Sequence, residues 1–477
     1  MSDRGDKANA RPDEELIDAT AIDQAESRHD EDDRLRPEYV TAVLDAVEDG
    51  DDERARDLVS PLHPADIADL LELTPADRRG AVAAALGDLV GAEVLSELND
   101  YVRDDLIGDL APEQVAGFAA ELDTDDAVAM IEDMDDADQQ AVLDALDPED
   151  RAAIESALSY PEESAGRLMQ RDLVAVPEHM TVGQVIDYLR DHGDLTADFW
   201  EIYVVDAMHR PVGYCQLSWI LTCPRSVAMA DLMKREQTLI PVDMDQEEVA
   251  LRFQKYALIS AAVVDASGRL VGMVTVDDVV HIIAEEAGED ILRLSGAGEG
   301  DINEPILMTV RARLIWLVVN LGTAMLAASV VGLFEGTIER FAMLAALMGI
   351  VSGMGGNAGT QTLAVVVRAL ATNQLTSSNT ARMIGREFRI AATNGATLGT
   401  LIAIGSYVIY GRLDLSLVFG AAILTNNMVA GLAGVLVPVT LERNNVDPAV
   451  SSAVFVTMMT DSLGFFTFLG LATLFLR

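Results

Sequence analysis

Asp461 is the residue whose type and position point most directly to chemistry. It lies in the last of five long apolar segments, and none of the five carries another charge in its core. A carboxylate at bilayer depth is costly unless it meets water, a partner or a bound ion, so an intramembrane Asp marks a functional site by default. Cation passage is the chemistry it suggests. A second candidate is the run Gly353-Met354-Gly355-Gly356-Asn357-Ala358-Gly359-Thr360-Gln361-Thr362 in the middle of another apolar segment. Irregular backbone at that depth survives only where protein buries it or water lines it. The run is therefore expected to break its span and line a pathway. Asn357 and Gln361 offer oxygens to a hydrated ion, and Gly359 permits close helix approach.

The elements that must position these residues are the apolar segments themselves, at 314–334, 341–367, 390–410, 415–441 and 449–476. Each is long enough for the roughly 20 residues that a spanning helix needs. Arg311, Arg313, Arg368, Arg382, Arg386, Arg389 and Arg443 fall on one side of a five-pass arrangement, and Arg340, Arg412 and Arg477 on the other. The side richer in arginine should be cytoplasmic. The N-terminus then lies in the cytoplasm and the C-terminus outside, in the cytoplasmic (plasma) membrane.

The chain has 477 residues and a formal net charge of −46, almost all of it before the apolar segments. Such a balance repels nucleic acid and suits multivalent cations or a high-salt cytoplasm. Two cysteines, Cys215 and Cys223, and six scattered histidines give no zinc motif. Neither HExxH nor a Walker loop occurs, and no nucleophile–base constellation supports an enzyme.

Residues 1–35 are charge-dense with little to bury and are expected to be a disordered acidic tail. From 36 to 164 the pattern becomes short amphipathic helices, such as HPADIADLLEL and ADQQAVLDAL, each too short to stand alone. An internal repeat follows. Leu168-Met169-Gln170-Arg171 matches Leu232-Met233-Lys234-Arg235, Tyr203-Val204-Val205-Asp206 matches Ala262-Val263-Val264-Asp265, and Pro211-Val212-Gly213 matches Leu270-Val271-Gly272. The two copies, at 165–228 and 229–278, resemble a tandem of cystathionine-beta-synthase (CBS) modules. Behind them, 279–310 reads as a connecting helix and linker, and 311–477 as a five-pass pore domain.

GGNAGTQT ahead of an arginine-bearing loop, Asp447-Pro448 before the fifth segment and Asp461 within it resemble the MgtE family of magnesium channels. The resemblance implies a multi-domain membrane protein: an all-α N-terminal domain, an α/β tandem CBS pair, a connecting helix and a five-helix transmembrane α domain. It further implies a homodimer in the lipid bilayer, with Mg2+ as both substrate and regulator. Asp461 would select the ion, with Asp447, Asn357, Gln361 and Gly359 beside the pathway. Asp447 equally suits an N-cap ahead of Pro448. The resemblance assigns regulatory carboxylates to Glu93, Asp125, Asp245, Glu247, Asp278, Glu286, Glu289 and Asp290. Cations bridging them at high internal magnesium would draw domains together and close the pore. Thr275 and Asp278 would address the ribose and phosphate of ATP or another adenine nucleotide. The sequence departs from the family at Thr360, Ala453, Ala129, Ala257 and His281. Two other readings are a CBS-regulated carrier of Co2+, Mn2+ or Zn2+, and a membrane-tethered adenylate sensor that conducts nothing.

Overall fold

The computed structural model describes residues 28–108, 110–132, 134–191, 199–296, 302–450 and 452–476. The chain divides into two compact units, Met1–Val249 with Ala257–Asp278, and Ala250–Tyr256 with Val279–Arg477.

In the first unit, the amphipathic segments form α1 (Pro37–Glu48), α2 (Asp52–Val59), α3 (Pro64–Leu73), α4 (Ala76–Leu86), α5 (Ala92–Ser96), α6 (Asp100–Ile107), α7 (Pro112–Ala119), α8 (Thr124–Ile131), α9 (Asp136–Ala145) and α10 (Pro148–Leu158). Proline opens four of them, at Pro37, Pro64, Pro112 and Pro148, where its missing N–H costs nothing and its fixed φ suits the first turn. Helices close in sequence pack together around one continuous core that runs from Leu35 to Ala157. Within the segment expected to be a tail, residues 28–35 are packed against the helices through His29 and Leu35. His29 pairs with Leu35 as an isolated bridge, His29 Nε2 lies 3.3 Å from Asp66 Oδ1, and Leu35 enters the core at 6% exposure. One leucine thus anchors the end of the charged segment; residues 1–27 lie outside the described residues.

The repeat folds into two matching sheets. β1 (Ala175–Pro177) runs parallel to β2 (Glu201–Val205), which pairs antiparallel with β3 (Pro211–Gln216). β4 (Leu239–Pro241), β5 (Ser260–Val264) and β6 (Leu270–Thr275) repeat that order. The registers coincide: Ala175 faces Tyr203 as Leu239 faces Ala262, and the ladder slips after Val204 as it does after Val263. Helices α11 (Val182–Asp191), α12 (Leu217–Thr222), α13 (Met229–Leu232) and α14 (Gln246–Tyr256) complete the modules. The copies also exchange bridges, Gln170 with Met273 and Lys234 with Tyr214. That exchange explains the paired glycines. A Cβ on Gly213 would come within 2.7 Å of the Lys234 carbonyl oxygen, and one on Gly272 within 2.8 Å of the Gln170 carbonyl oxygen.

The connecting helix α15 runs over Val276–Ser295. The second unit then holds α16 (Ile306–Gly332), α17 (Glu335–Arg340), α18 (Met343–Ala371), α19 (Thr380–Tyr410), α20 (Leu413–Arg443) and α21 (Ser452–Phe475). Among the described residues α16, α19, α20 and α21 are long and apolar enough to cross a membrane. α18 matches them in length, and its polar run dilutes its hydropathy. α20 is the centre of the group, packed against α18, α19 and α21. By contrast, α16 leaves Leu314, Leu317, Val318 and Leu321 more than half exposed, a surface suited to lipid.

Candidate functional site

The expected break at 353–362 is absent: α18 is continuous helix from Met343 to Ala371. Its backbone groups satisfy one another, so no water-lined gap is needed. The glycines serve helix contact instead. A Cβ on Gly359 would come within 2.5 Å of Val456 Cγ1 on α21, and one on Gly434 of α20 within 2.8 Å of the Gly359 carbonyl oxygen. The helix period then sorts the run into two faces. Gly355, Gly359 and Thr362 are buried against neighbours, while Gly353, Asn357, Thr360 and Gln361 are exposed on the opposite side.

Asp461 sits half-buried in the middle of α21 and accepts a hydrogen bond from Ser352 Oγ of α18. Beside this pair, Asn426 of α20 donates through Nδ2 to the Val351 carbonyl at 2.8 Å, and its Oδ1 has no partner among the described residues. Asn427 is likewise 1% exposed with an Oδ1 unpartnered among them. An unsatisfied buried carbonyl is costly; Asn426 lies against Gly355 of α18 and Gly464 of α21, on the side of Asp461, while Asn427 lies against Gly395 of α19. Ser352, Asn426 and Asn427 were not singled out from the sequence. The signal was two consecutive amides inside an apolar span.

Asp447 lies in the turn before α21. Its Oδ1 accepts from Ala449 N at 2.7 Å, and its Oδ2 pairs with Arg293 Nη1 of α15 at 3.0 Å. The bond to Ala449 N is a capping-type contact in the turn ahead of α21, whose described residues start at Ser452. Arg293 also pairs with Glu289 one turn earlier. A side-chain cation thus stands between two carboxylates expected to hold metal. Glu286 is half-buried on the same helix, and the side chain of Asp290 lies outside the described residues.

In the first unit the structure unites Asp125 and Asp278. Asp125, in the first turn of α8, is held well above the usual carboxylate range by burial and by the charges of Asp278 and Asp126. Its Oδ1 is buried without a hydrogen-bond partner among the described residues. Asp278 is pushed up to about 6, chiefly by burial, although it accepts a hydrogen bond from Thr275 Oγ1 at 2.6 Å. Carboxylates crowded in this way favour a bound proton or a hard cation with oxygen ligands. Asp245 is exposed and accepts from the Glu247 backbone N–H at 2.9 Å, and Glu93 is exposed in the first turn of α5. Among the described residues no three Asp, Glu, His or Cys side chains converge into a closed metal cage.

Known proteins fit this division. Residues 348–471 match the MgtE divalent cation transporter model, 62–163 the MgtE intracellular N domain, and 165–215 with 229–285 the CBS domain. The magnesium transporter MgtE of Thermus thermophilus is 32% identical over 450 residues, covering 93% of this chain and 100% of its own length. The chain belongs to the MgtE family. Another family member, the magnesium transporter MgtE of Bacillus subtilis, is 29% identical over 92% of this chain and 98% of its own. A crystal structure of the cytosolic domain of the Mg2+ channel MgtE in complex with ATP aligns at 33% identity and a TM-score of 0.47. It covers 51% of this chain and 99% of that one. As a member of the MgtE family, the chain is a transporter with CBS modules and C-terminal membrane helices.

Proposed function

We propose that this MgtE-family chain carries Mg2+ into the cell across the cytoplasmic (plasma) membrane as a homodimer, and that internal Mg2+ closes it. The observation that carries the reading is Asp461, the one charge in the core of the apolar helices, bonded to Ser352 beside an exposed amide face of α18. Magnesium gives up its water reluctantly and is usually held by one or two carboxylates through retained waters. One carboxylate per chain, with Asn357 and Gln361 on an open face, suits a pathway completed by a second copy and lined by groups that bond water. Hard-oxygen chemistry also favours Mg2+ over softer metals, since no His or Cys occurs after His281. In this arrangement the N-terminus is cytoplasmic and the C-terminus outside.

For regulation, Asp125 and Asp278 have the crowding that a divalent cation relieves, and Asp126 adds to it. Glu93, Asp245, Glu247, Glu286, Glu289 and Asp290 extend the proposed acidic sensor. Asp447 and Glu289 are engaged by Arg293, so any ion there competes with a guanidinium. An adenine nucleotide at Thr275 and Asp278 would meet two side chains already bonded to each other.

The experiment is Mg2+ flux into proteoliposomes holding the full chain, with Asp461→Ala beside wild type and internal-face Mg2+ varied. Flux that needs Asp461 and declines as Mg2+ rises supports pore and sensor together. Undiminished flux through Asp461→Ala would overturn the pore reading. Equal uptake of Co2+ or Mn2+ in competition would overturn the choice of Mg2+.

A further inference from the structure

The chain carries 79 acidic residues, yet between Glu339 and Asp414 its sole acid is Glu387, against Arg340, Arg368, Arg382, Arg386, Arg389 and Arg412. Three of these arginines meet. Arg368, Arg382 and Arg386 line a cavity of about 540 Å³ where the end of α18, the loop 372–379 and the first turns of α19 come together. Arg386 is engaged: its Nη1 donates to Glu387 Oε1 at 2.6 Å, and Glu387 is 5% exposed. Arg368 and Arg382 have no ion pair among the described residues.

The cavity is preformed because its loop is tied to itself. Asn379 Oδ1 accepts from Thr376 N and Asn379 Nδ2 donates to the Gln374 carbonyl, both at 2.8 Å. The Leu375 N–H donates to the Ala369 carbonyl at 2.7 Å, and the Leu375 side chain is buried against Val366, Val435 and Val439. Val365 and Met383 add apolar wall between the guanidinium groups. A cationic mouth on an apolar wall fits a ligand that is anionic at one end and apolar at the other.

Depth points the same way. α18 has 29 residues and α19 has 31, so at ~1.5 Å per residue each is about 45 Å long. The hydrocarbon layer is only ~30 Å thick. Arg368 lies three residues from the end of α18, and Arg382 and Arg386 lie in the first two turns of α19. On the reading of α18 and α19 as membrane spans, the cavity mouth falls at the headgroup layer. The positive end of the α19 dipole reinforces it. We propose that this cavity binds the phosphate headgroup of an anionic phospholipid, with Arg368 and Arg382 as its phosphate ligands. Free phosphate shares that chemistry; the apolar wall favours the lipid.

The test is native mass spectrometry of the full chain in neutral detergent, with phosphatidylglycerol, phosphatidylcholine or inorganic phosphate added. Wild type is compared with Arg368→Gln/Arg382→Gln and with Arg340→Gln, which changes an arginine before the opposite end of α18. Arg386 is kept, because its removal would leave the buried Glu387 uncompensated. One phosphatidylglycerol per chain should be retained in preference to phosphatidylcholine. A basic side chain near an anionic surface contributes about fivefold to affinity, so the double variant should bind about 25-fold more weakly, with Arg340→Gln unchanged. Should the double variant melt early, Arg382→Lys against Arg382→Gln replaces it, with binding expected only where the charge is kept. Equal retention of the two lipids, or unchanged binding by the charge-deleted variants, overturns the proposal. Displacement of phosphatidylglycerol by inorganic phosphate at similar concentration overturns the lipid source. A finding that these variants instead loosen the acidic soluble unit would assign the arginines to protein contact and overturn it as well. No ion flux enters the readout, so its failure and that of the transport reading are separable.

Discussion

Replacing Asp278 with Asn should tighten the first unit when no divalent cation is present. The Asp278 carboxyl is pushed up to about 6, against ~3.9 for an unperturbed aspartate. A raised carboxylate pKa means that the folded state holds its proton more firmly than the unfolded one. Stability therefore falls as pH rises from ~4 to about 6, and above that the full cost of the ionised side chain is present. A shift of roughly two units corresponds to about 100-fold in an equilibrium constant. Asp278 is partly exposed, so solvent screening should reduce this to about 10-fold. Asparagine keeps an oxygen to accept from Thr275 Oγ1 and removes the charge facing Asp125. The assay is hydrogen exchange of the full chain in detergent at pH 7, followed on peptides from α8 and the start of α15. Without Mg2+, Asp278→Asn should slow exchange there about 10-fold. Mg2+ should protect wild type much more than the variant, and lowering the pH to 5 should protect wild type without any metal. Unchanged or faster exchange in the metal-free variant, or equal protection of both proteins by Mg2+, would refute the carboxylate-crowding argument.

Two further outcomes follow from the packing. Gly359→Val forces branched carbons toward Val456 and should destabilise the α18–α21 contact by about 1–3 kcal/mol, lowering the melting temperature in detergent; an unaltered melt would contradict the close crossing. Arg293→Gln releases Asp447 and Glu289 from their shared cation, so the Mg2+ concentration that halves flux should fall; an unchanged midpoint would remove that contact from gating.

The sequence is most readable where one physical constraint acts twice. The tandem sheets repeat VVD and VG because both copies need a buried central strand and a side-chain-free approach to the other copy's backbone. Asp461 stands out in the sequence because a charge in an apolar span is rare, but its contact with Ser352 of α18 does not. The glycine run misleads for a definite reason. In water, glycines unsettle a helix by leaving its backbone free, whereas here they let α18 approach α20 and α21 closely while the helix continues. The Arg293–Asp447 pair was hidden because its members are 154 residues apart and nothing local announces their meeting. Asp125 and Asp278 are assigned by the family resemblance, and only the fold reveals that Asp125 Oδ1 is buried with no partner among the described residues and feels the charge of Asp278.

The exchanged bridges of the CBS modules carry a consequence for how the chain can be made. Gln170, ahead of the first sheet, finds its partner at Met273, about a hundred residues later. On a ribosome the segment at Gln170 emerges long before β6, the edge it covers, while the β3 edge at Tyr214 waits for Lys234 of the second copy. Such long-range pairing slows folding and leaves the edge available to other chains. The boundary between residues 228 and 229 therefore divides two sequence copies without dividing two foldable bodies. Cutting there would give fragments that each expose an edge belonging to the other, and expression of either alone should yield aggregate rather than half a sensor.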